Sequence, residues 1–257
     1  MPYLRLRAYG LITVLLCLVG SVQAQTPPLT ADRPGIGIGT GVVLPETFQV
    51  EGGFAYDRAP HFNGYSFGQL LLRYGLSPLV ELRAWLQSYR IEHYPRNVEL
   101  QGFQDPIVGL KLNLNEITGL SVASVAALFE LRLPVGDRDF QAASVQPTAT
   151  LALDWPLLPG FSISANGTFT SYWVDGRRFD KGLMTATLNV TLSETLPSGA
   201  YFGYAQQFVP GRNQHYLEGG LTLLLTPDIQ FDVNGGVGLH ERETYFIGAG
   251  LVRRFRF

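Results

Sequence analysis

Tyr245-Phe-Ile-Gly-Ala-Gly-Leu-Val-Arg-Arg-Phe-Arg-Phe257 divides by alternate residues into two chemically different sets. One is Tyr245, Ile247, Ala249, Leu251, Arg253, Phe255 and Phe257; the other is Phe246, Gly248, Gly250, Val252, Arg254 and Arg256. Successive side chains of an extended chain point to opposite faces, so this is a strand pattern with one largely apolar face. The sequence stops on an aromatic residue inside that pattern. On an exposed edge of a soluble domain such an ending would fray and invite aggregation. In a closed barrel surrounded by lipid it has a use, because the last strand pairs with the first and terminal aromatics sit in the interfacial girdle. The odd-numbered set is then expected to face lipid, with Arg253 snorkelling to the headgroups.

Going back from this stretch, the same period recurs from residue 46 onward. Alternating runs lie at Phe48–Asp57, Gln69–Tyr74, Val80–Gln87, Val108–Leu114, Val125–Arg132 and Val145–Asp154. Others lie at Phe161–Phe169, Met184–Leu192, Ala200–Phe208, Leu217–Leu225 and Ile229–Val237. With the last stretch they predict twelve strands. Short connections are expected at Leu76–Leu79, Asn115–Gly119, Pro156–Gly160, Glu194–Gly199 and Thr226–Asp228. Longer polar links are expected between them, at Asp57–Gly64, Ser88–Gln104, Pro134–Ala143 and Tyr172–Lys181. Short periplasmic turns, long outer loops and an even strand number describe an all-β transmembrane antiparallel up-and-down barrel of outer-membrane type, both termini periplasmic. A secreted two-sheet sandwich also alternates and is the rival fold.

Arg5 and Arg7 precede an apolar run from Leu11 to Val19, and Val22-Gln23-Ala24 follows. This predicts a secretory signal peptide over 1–24; together with the expected barrel it makes a Gram-negative cell's outer membrane the expected destination. The only cysteine, Cys17, lies within the leader, and Leu16 before it argues against acylation. Residues 25–45 are expected to form a periplasmic segment or plug, and 46–257 the barrel. The chain is 46% hydrophobic, with a formal net charge of −2; losing Arg5 and Arg7 makes the mature chain more acidic. No basic patch points to nucleic acid.

One face of the alternating runs collects the charges. Ionised groups cannot face hydrocarbon cheaply, so they are expected inside the barrel. The lumen and selectivity candidates are Glu51, Arg73, Glu81, Arg83, Trp85, Asp105, Lys111, Glu130, Arg132, Asp154, Glu218 and Asp232. Hairpin register brings Arg73 to Glu81 near the periplasmic rim, and Asp105 to the level of Glu130 and Arg132. These charges either rigidify the interior as ion pairs or line a selective path, and both roles are compatible. In the segment before the first strand, Asp32 and Arg33 are candidates to pair with lumen charges as a plug. Ile36, Ile38, Val42, Val43 and Leu44 make that segment too apolar for a free tail.

Several segments together resemble the outer-membrane family of transporters of the meta-pathway of phenol degradation. They are Thr30-Ala-Asp-Arg-Pro34, Phe48-Gln-Val-Glu-Gly-Gly53, Leu72-Arg-Tyr-Gly-Leu76, Val80-Glu-Leu-Arg83, Gly102-Phe-Gln-Asp-Pro106 with Gly109-Leu-Lys111, Leu133-Pro-Val-Gly136, Gln230-Phe-Asp232 and Tyr245-Phe-Ile-Gly-Ala-Gly250. The resemblance implies a barrel that passes small hydrophobic or aromatic compounds. Tyr245, Phe255 and Phe257 are expected, as in similar barrels, to form the closure signal read by the outer-membrane assembly machinery.

Other chemistry finds less support. His61, His93, His215 and His240 all fall in expected outer loops or strand tops, and none has metal-ligand spacing. An outer-membrane hydrolase would need Ser, His and an orienting group together, and no Gly-x-Ser-x-Gly occurs. Gly35-x-Gly-x-Gly39 opens no helix, so it is no nucleotide loop. Asn166-Gly-Thr168 fits a glycosylation sequon within a strand. Trp85, Trp155 and Trp173 are girdle or lumen-packing candidates. The expectation is therefore a monomeric, non-enzymatic channel without cofactor, its partners being outer-membrane lipids and a small-molecule solute. The alternative is a closed structural or surface-interaction barrel.

Overall fold

The alternating runs become thirteen strand segments: β1 Thr47–Ala59, β2 Phe62–Gly75, β3 Val80–Tyr94, β4 Val98–Phe103, β5 Ile107–Asn113, β6 Ser124–Arg132, β7 Gln146–Leu158, β8 Phe161–Val174, β9 Arg177–Ser193, β10 Ser198–Val209, β11 Arg212–Thr226, β12 Ile229–Gly238 and β13 Tyr245–Arg256. The structure, a computed structural model, describes residues 29–120, 122–193, 195–240 and 243–257. The expected signal peptide, Cys17 included, and residues 25–28 lie outside the described residues. All pairings between strands are antiparallel, and β13 returns to β1 with Phe48 opposite Phe255 and Phe54 opposite Ala249. β4 and β5 are two halves of one strand, since both run along β3, with Tyr89 opposite Phe103 and Trp85 opposite Ile107. Gln104-Asp105-Pro106 separates them, and proline has no N–H to give to the ladder. The result is one closed sheet of twelve strands, not two packed sheets.

β1 begins and β13 finishes at the same end of the barrel, called proximal below. Proximal turns are short at Pro159-Gly160 and Pro227-Asp228, but β5 reaches β6 through residues 114–123, longer than the expected Asn115–Gly119 connection and holding the short helix Asn115–Thr118. The distal connections differ from expectation. β1 passes to β2 through Pro60-His61, β3 to β4 through Pro95–Asn97, and β8 to β9 through Asp175-Gly176. Both residues of the last turn have positive φ, 50° and 72°, the conformation that an Asp-Gly hairpin adopts readily. The stretches read as long links at 57–64, 88–104 and 172–181 are thus mostly strand. Their polar residues mislead because they pair across strands: Arg90 donates to both Asp57 oxygens at 2.7 and 2.8 Å and to Glu92 at 2.6 Å. The link at 133–145 is long, as expected.

The two faces separate sharply. Ile247, Phe202, Met184 and Leu151 point outward with 55–60% of their surface exposed. Arg73, Glu51, Glu81, Lys111 and Asp232 point inward and are fully buried. An apolar exterior this extensive is unstable in water and suits hydrocarbon. Trp155 and Trp173 are on this exterior. On β13 the odd-numbered set faces out; Phe255 lies 6.3 Å from Phe48, and the Arg253 guanidinium covers the Phe255 ring at 5.0 Å. Tyr245 packs on Tyr56 at 6.0 Å, and Phe257 is exposed.

Candidate functional site

Residues 29–46 do not hang from the barrel; they run around the inside of its wall as a collar. An extended segment that lies against the inside of a sheet has backbone N–H groups that need acceptors. The wall supplies them in turn. Glu51 on β1 accepts from the Asp32 and Arg33 amides at 3.1 and 3.0 Å. Glu218 on β11 accepts from Ile36 N at 2.9 Å. Asn166 on β8 accepts from Ile38 N at 2.7 Å and donates to Ile38 O at 2.8 Å. Asp154 on β7 accepts from Thr40 N and Thr40 Oγ1, both at 2.7 Å. Glu81 on β3 accepts from Val43 N at 2.7 Å. Even-numbered residues 36, 38 and 40 direct their amides at the wall, as an extended chain requires. Gly37 between them has no room for a side chain: a Cβ there would lie 2.6 Å from Asn166 Oδ1 and 2.8 Å from Thr185 Oγ1.

Two ionic devices fasten the collar. Arg33 donates to Asp232 through Nε at 3.3 Å and Nη2 at 3.1 Å, and to Gln69 at 3.1 Å. Its guanidinium rests against Gly53 and Gly250, where a Cβ would collide with it. Asn234 also donates to Pro34 O at 2.8 Å. On the adjoining strands β2, β3 and β5, Asp32 is held by Arg83, by Lys111 at 3.2 Å and by Arg73 at 3.9 Å. Arg73 also binds Glu51 at 2.7 Å and Glu81 at 2.8 Å. Asp32, Glu51 and Glu81 are thus buried together with Arg73, Arg83 and Lys111, and Glu130 lies at the margin 3.9 Å from Arg83, so each charge has a partner of opposite sign, the condition under which buried charge is tolerated. Arg73 further donates to Thr30 O at 2.6 Å and Gly41 O at 3.3 Å, joining the start of the collar to its end.

The sequence candidates therefore divide into four groups. Glu51, Arg73, Glu81, Arg83, Lys111 and the segment's Asp32 form the cluster. Asp154, Glu218 and Asp232 seat the collar, Asp232 through Arg33. Trp85, Glu130 and Arg132 line a cavity on the distal side of the collar. Asp105 is a correction: it is fully buried but accepts from Gly136 N at 2.8 Å and Ala142 N at 2.7 Å, so it anchors the 133–145 link and does not face a path. The break at Pro106 takes it out of the ladder, which strict alternation could not anticipate. Register also corrects a detail. Arg73 faces Arg83 across β2 and β3, and reaches Glu81 diagonally.

Sequence reading missed Gln49, Gln69, Asn166 and Asn234 as collar contacts, and Arg90 with Asp57 at the distal end. Alternation puts Gln49, Gln69, Asn166 and Asn234 on the polar face, and their neutral amides stand out there less than the charged residues beside them. Asn166, part of the sequon, is only 8% exposed and faces the collar. The histidines lie distally: His215 stacks on His240 at 4.6 Å with Tyr204 Oη 2.6 Å from its Nδ1, and His93 is 3.1 Å from Glu99.

The collar divides the lumen. Proximal to it is a cavity of about 890 Å³ bordered by Asp154, Ser162, Asn189, Thr222 and Gln230. Distal to it are two cavities, of about 520 and 420 Å³, sharing Ile36, Ile38, Trp85 and Gln87 in their walls.

The fold is shared with solved outer-membrane proteins. The COG4313 outer membrane channel from Pseudomonas putida F1 superposes with a TM-score of 0.61 at 14% identity, over 86% of this chain and 99% of that one. The KdgM porin in complex with disordered oligogalacturonate gives 0.54 at 10% identity, over 81% and 99%. The NanC porin gives 0.53 at 10% identity, over 82% and 100%. No curated protein sequence matches the chain. The family model described as "Putative MetA-pathway of phenol degradation" matches residues 31–257, from the collar to the last strand, and the chain belongs to that family.

Proposed function

We propose that this protein is a monomeric outer-membrane channel through which small molecules, hydrophobic or aromatic ones in particular, pass down their own gradient, with the collar as its constriction. The observation that carries the reading is the division of a polar lumen into proximal and distal cavities by a segment fastened to the wall through hydrogen bonds and ion pairs. A barrel needing only rigidity could fill its lumen with wall side chains. Ile36 and Ile38 present apolar surface to the distal cavities, which suits a solute with an apolar body. The family description, with its reference to phenol degradation, points the same way.

In this reading residues 1–24 direct export, both chain ends are periplasmic, and the distal hairpins face outward. The barrel is inserted by the assembly machinery and performs no chemistry on its solute. The experiment is flux into proteoliposomes holding the purified barrel, compared with a variant lacking residues 29–44. Passage of phenol-sized solutes, increased by the deletion, is the expected result. Absence of flux from both proteins would instead favour a closed barrel that works through its surface.

A further inference from the structure

The distal cavity of about 420 Å³ holds an unsatisfied pair that the collar does not use. Arg83 has 1% of its side chain exposed, and its Nη1 serves Asp32 and Glu81. Its other edge, Nε and Nη2, is buried without a hydrogen-bond partner among the described residues. Facing it is Glu130, whose Oε1 is also buried and unpartnered, 3.9 Å from Arg83 Nε. That separation exceeds hydrogen-bond length. Leaving two such groups unsatisfied is costly; both atoms are closed to a water-sized sphere, so an occupant reaches them as the two side chains part, and it must then accept from one and donate to the other. A hydroxyl group does both, and its oxygen can lie about 2.9 Å from each atom as the third corner of a triangle.

We propose that Arg83 and Glu130 form a recognition site for the hydroxyl group of a neutral, otherwise apolar solute. The solute's body would lie against Trp85, Leu128 and Leu183 in the same cavity. The volume falls in the range of small-molecule sites, roughly 300–1,000 Å³. The charge balance argues against an anion: Arg83 is already compensated by Asp32 and Glu81, and a carboxylate would meet Glu130. An unsubstituted hydrocarbon fares no better. It would part the two side chains without giving either a hydrogen-bond partner, which loses affinity.

This inference rests on the channel reading only for its purpose, because binding is measurable without flux. Three probes of matched shape separate the possibilities: benzyl alcohol, toluene and benzoate. They are titrated against the purified full-length barrel carrying Trp155→Phe and Trp173→Phe, so that Trp85 fluorescence reports the cavity. Benzyl alcohol should bind about ten-fold or more tightly than toluene or benzoate, the scale of one hydrogen bond to a buried polar group. Glu130→Leu should abolish that preference, while Glu130→Gln, which keeps an acceptor oxygen, should retain most of it. Arg83→Lys should also abolish it, but Arg83 belongs to the ionic cluster, so the Glu130 pair carries the test if that variant fails to fold. Equal binding of toluene and benzyl alcohol, tightest binding of benzoate, or no effect of Glu130→Leu would each overturn the proposal. Binding with this preference but without liposome flux would sink the channel reading and leave the site standing. Flux without the preference would sink the site alone.

Discussion

Arg33→Gln tests whether the collar is a constriction held by ionic contacts. In the seated collar, Asp232 is fully buried and Arg33 is its cationic partner, with 10% of its side chain exposed. Removing one member of such a pair strands the other charge, at about 3–5 kcal/mol. The penalty falls on the seated state alone, because Asp232 becomes hydrated once the collar leaves the wall. The glutamine amide can still donate one hydrogen bond, which favours the lower figure. Every 1.4 kcal/mol is ten-fold, so the ratio of unseated to seated collar should rise by about two to three and a half orders of magnitude. A collar unseated ~1% of the time would then be unseated about half the time. Single-channel recording in planar bilayers measures this directly, with a variant lacking residues 29–44 defining the fully open level. Adding Asp232→Asn to Arg33→Gln should restore much of the seated population, because a neutral amide pair leaves no stranded charge. Conductance of Arg33→Gln equal to wild type, while the deletion variant conducts more, would refute the assigned role of this ion pair. Equal conductance of all three proteins would refute the constriction itself.

Three other outcomes are expected. Gly37→Val, which forces a branched side chain into the space beside Asn166 and Thr185, should lift the collar and raise conductance without altering any charge; wild-type currents would count against the tight seating. Leu151→Arg on the exterior should weaken folding into lipid vesicles by about 2–4 kcal/mol in a urea titration, and a change below the error of the titration would contradict the assignment of that face to hydrocarbon. At the proximal turn, burial tends to raise the Asp228 carboxyl, but hydrogen bonds from Arg256 and Arg254 outweigh it and hold the pKa below its ordinary value. A lowered native pKa gives stability that is present above the unfolded value, about 4, and lost as pH falls through the native one. Hydrogen exchange at the end of β13 should therefore be steady from pH 8 to 5 after correction for intrinsic rates and rise only in stronger acid; loosening between pH 7 and 5.5 would be inconsistent with that clamp.

The barrel was legible because period-2 alternation is a local property. Within a regular strand a residue declares its face through its neighbours at i±2, and a closed sheet satisfies both faces at once. The distal hairpins were less legible. Arg90, Glu92 and Asp57 look like loop residues one at a time, and become strand residues only when β1, β2 and β3 bring them together. Asp175-Gly176 carried a hairpin signal, and the surrounding charges obscured it. Asp105 failed for a different reason, since Pro106 interrupts the ladder and turns a formally inward residue toward the 133–145 link.

By itself the sequence determined which side of the wall the side chains of the regular strands occupy, and hence that charge is inside and apolar surface outside, because facing is set by local chain geometry. It also marked Asp32 and Arg33 as partners for interior charge. Only the tertiary structure decided which partners they take. Arg33 finds Asp232 and Asp32 finds Arg83 because closing the sheet brings distant strands to one lumen, and no local pattern encodes a meeting across nearly two hundred residues. The collar's path has the same origin: six backbone amides between Asp32 and Val43 find acceptors on β1, β11, β8, β7 and β3, strands that share a circumference only after β13 has closed on β1.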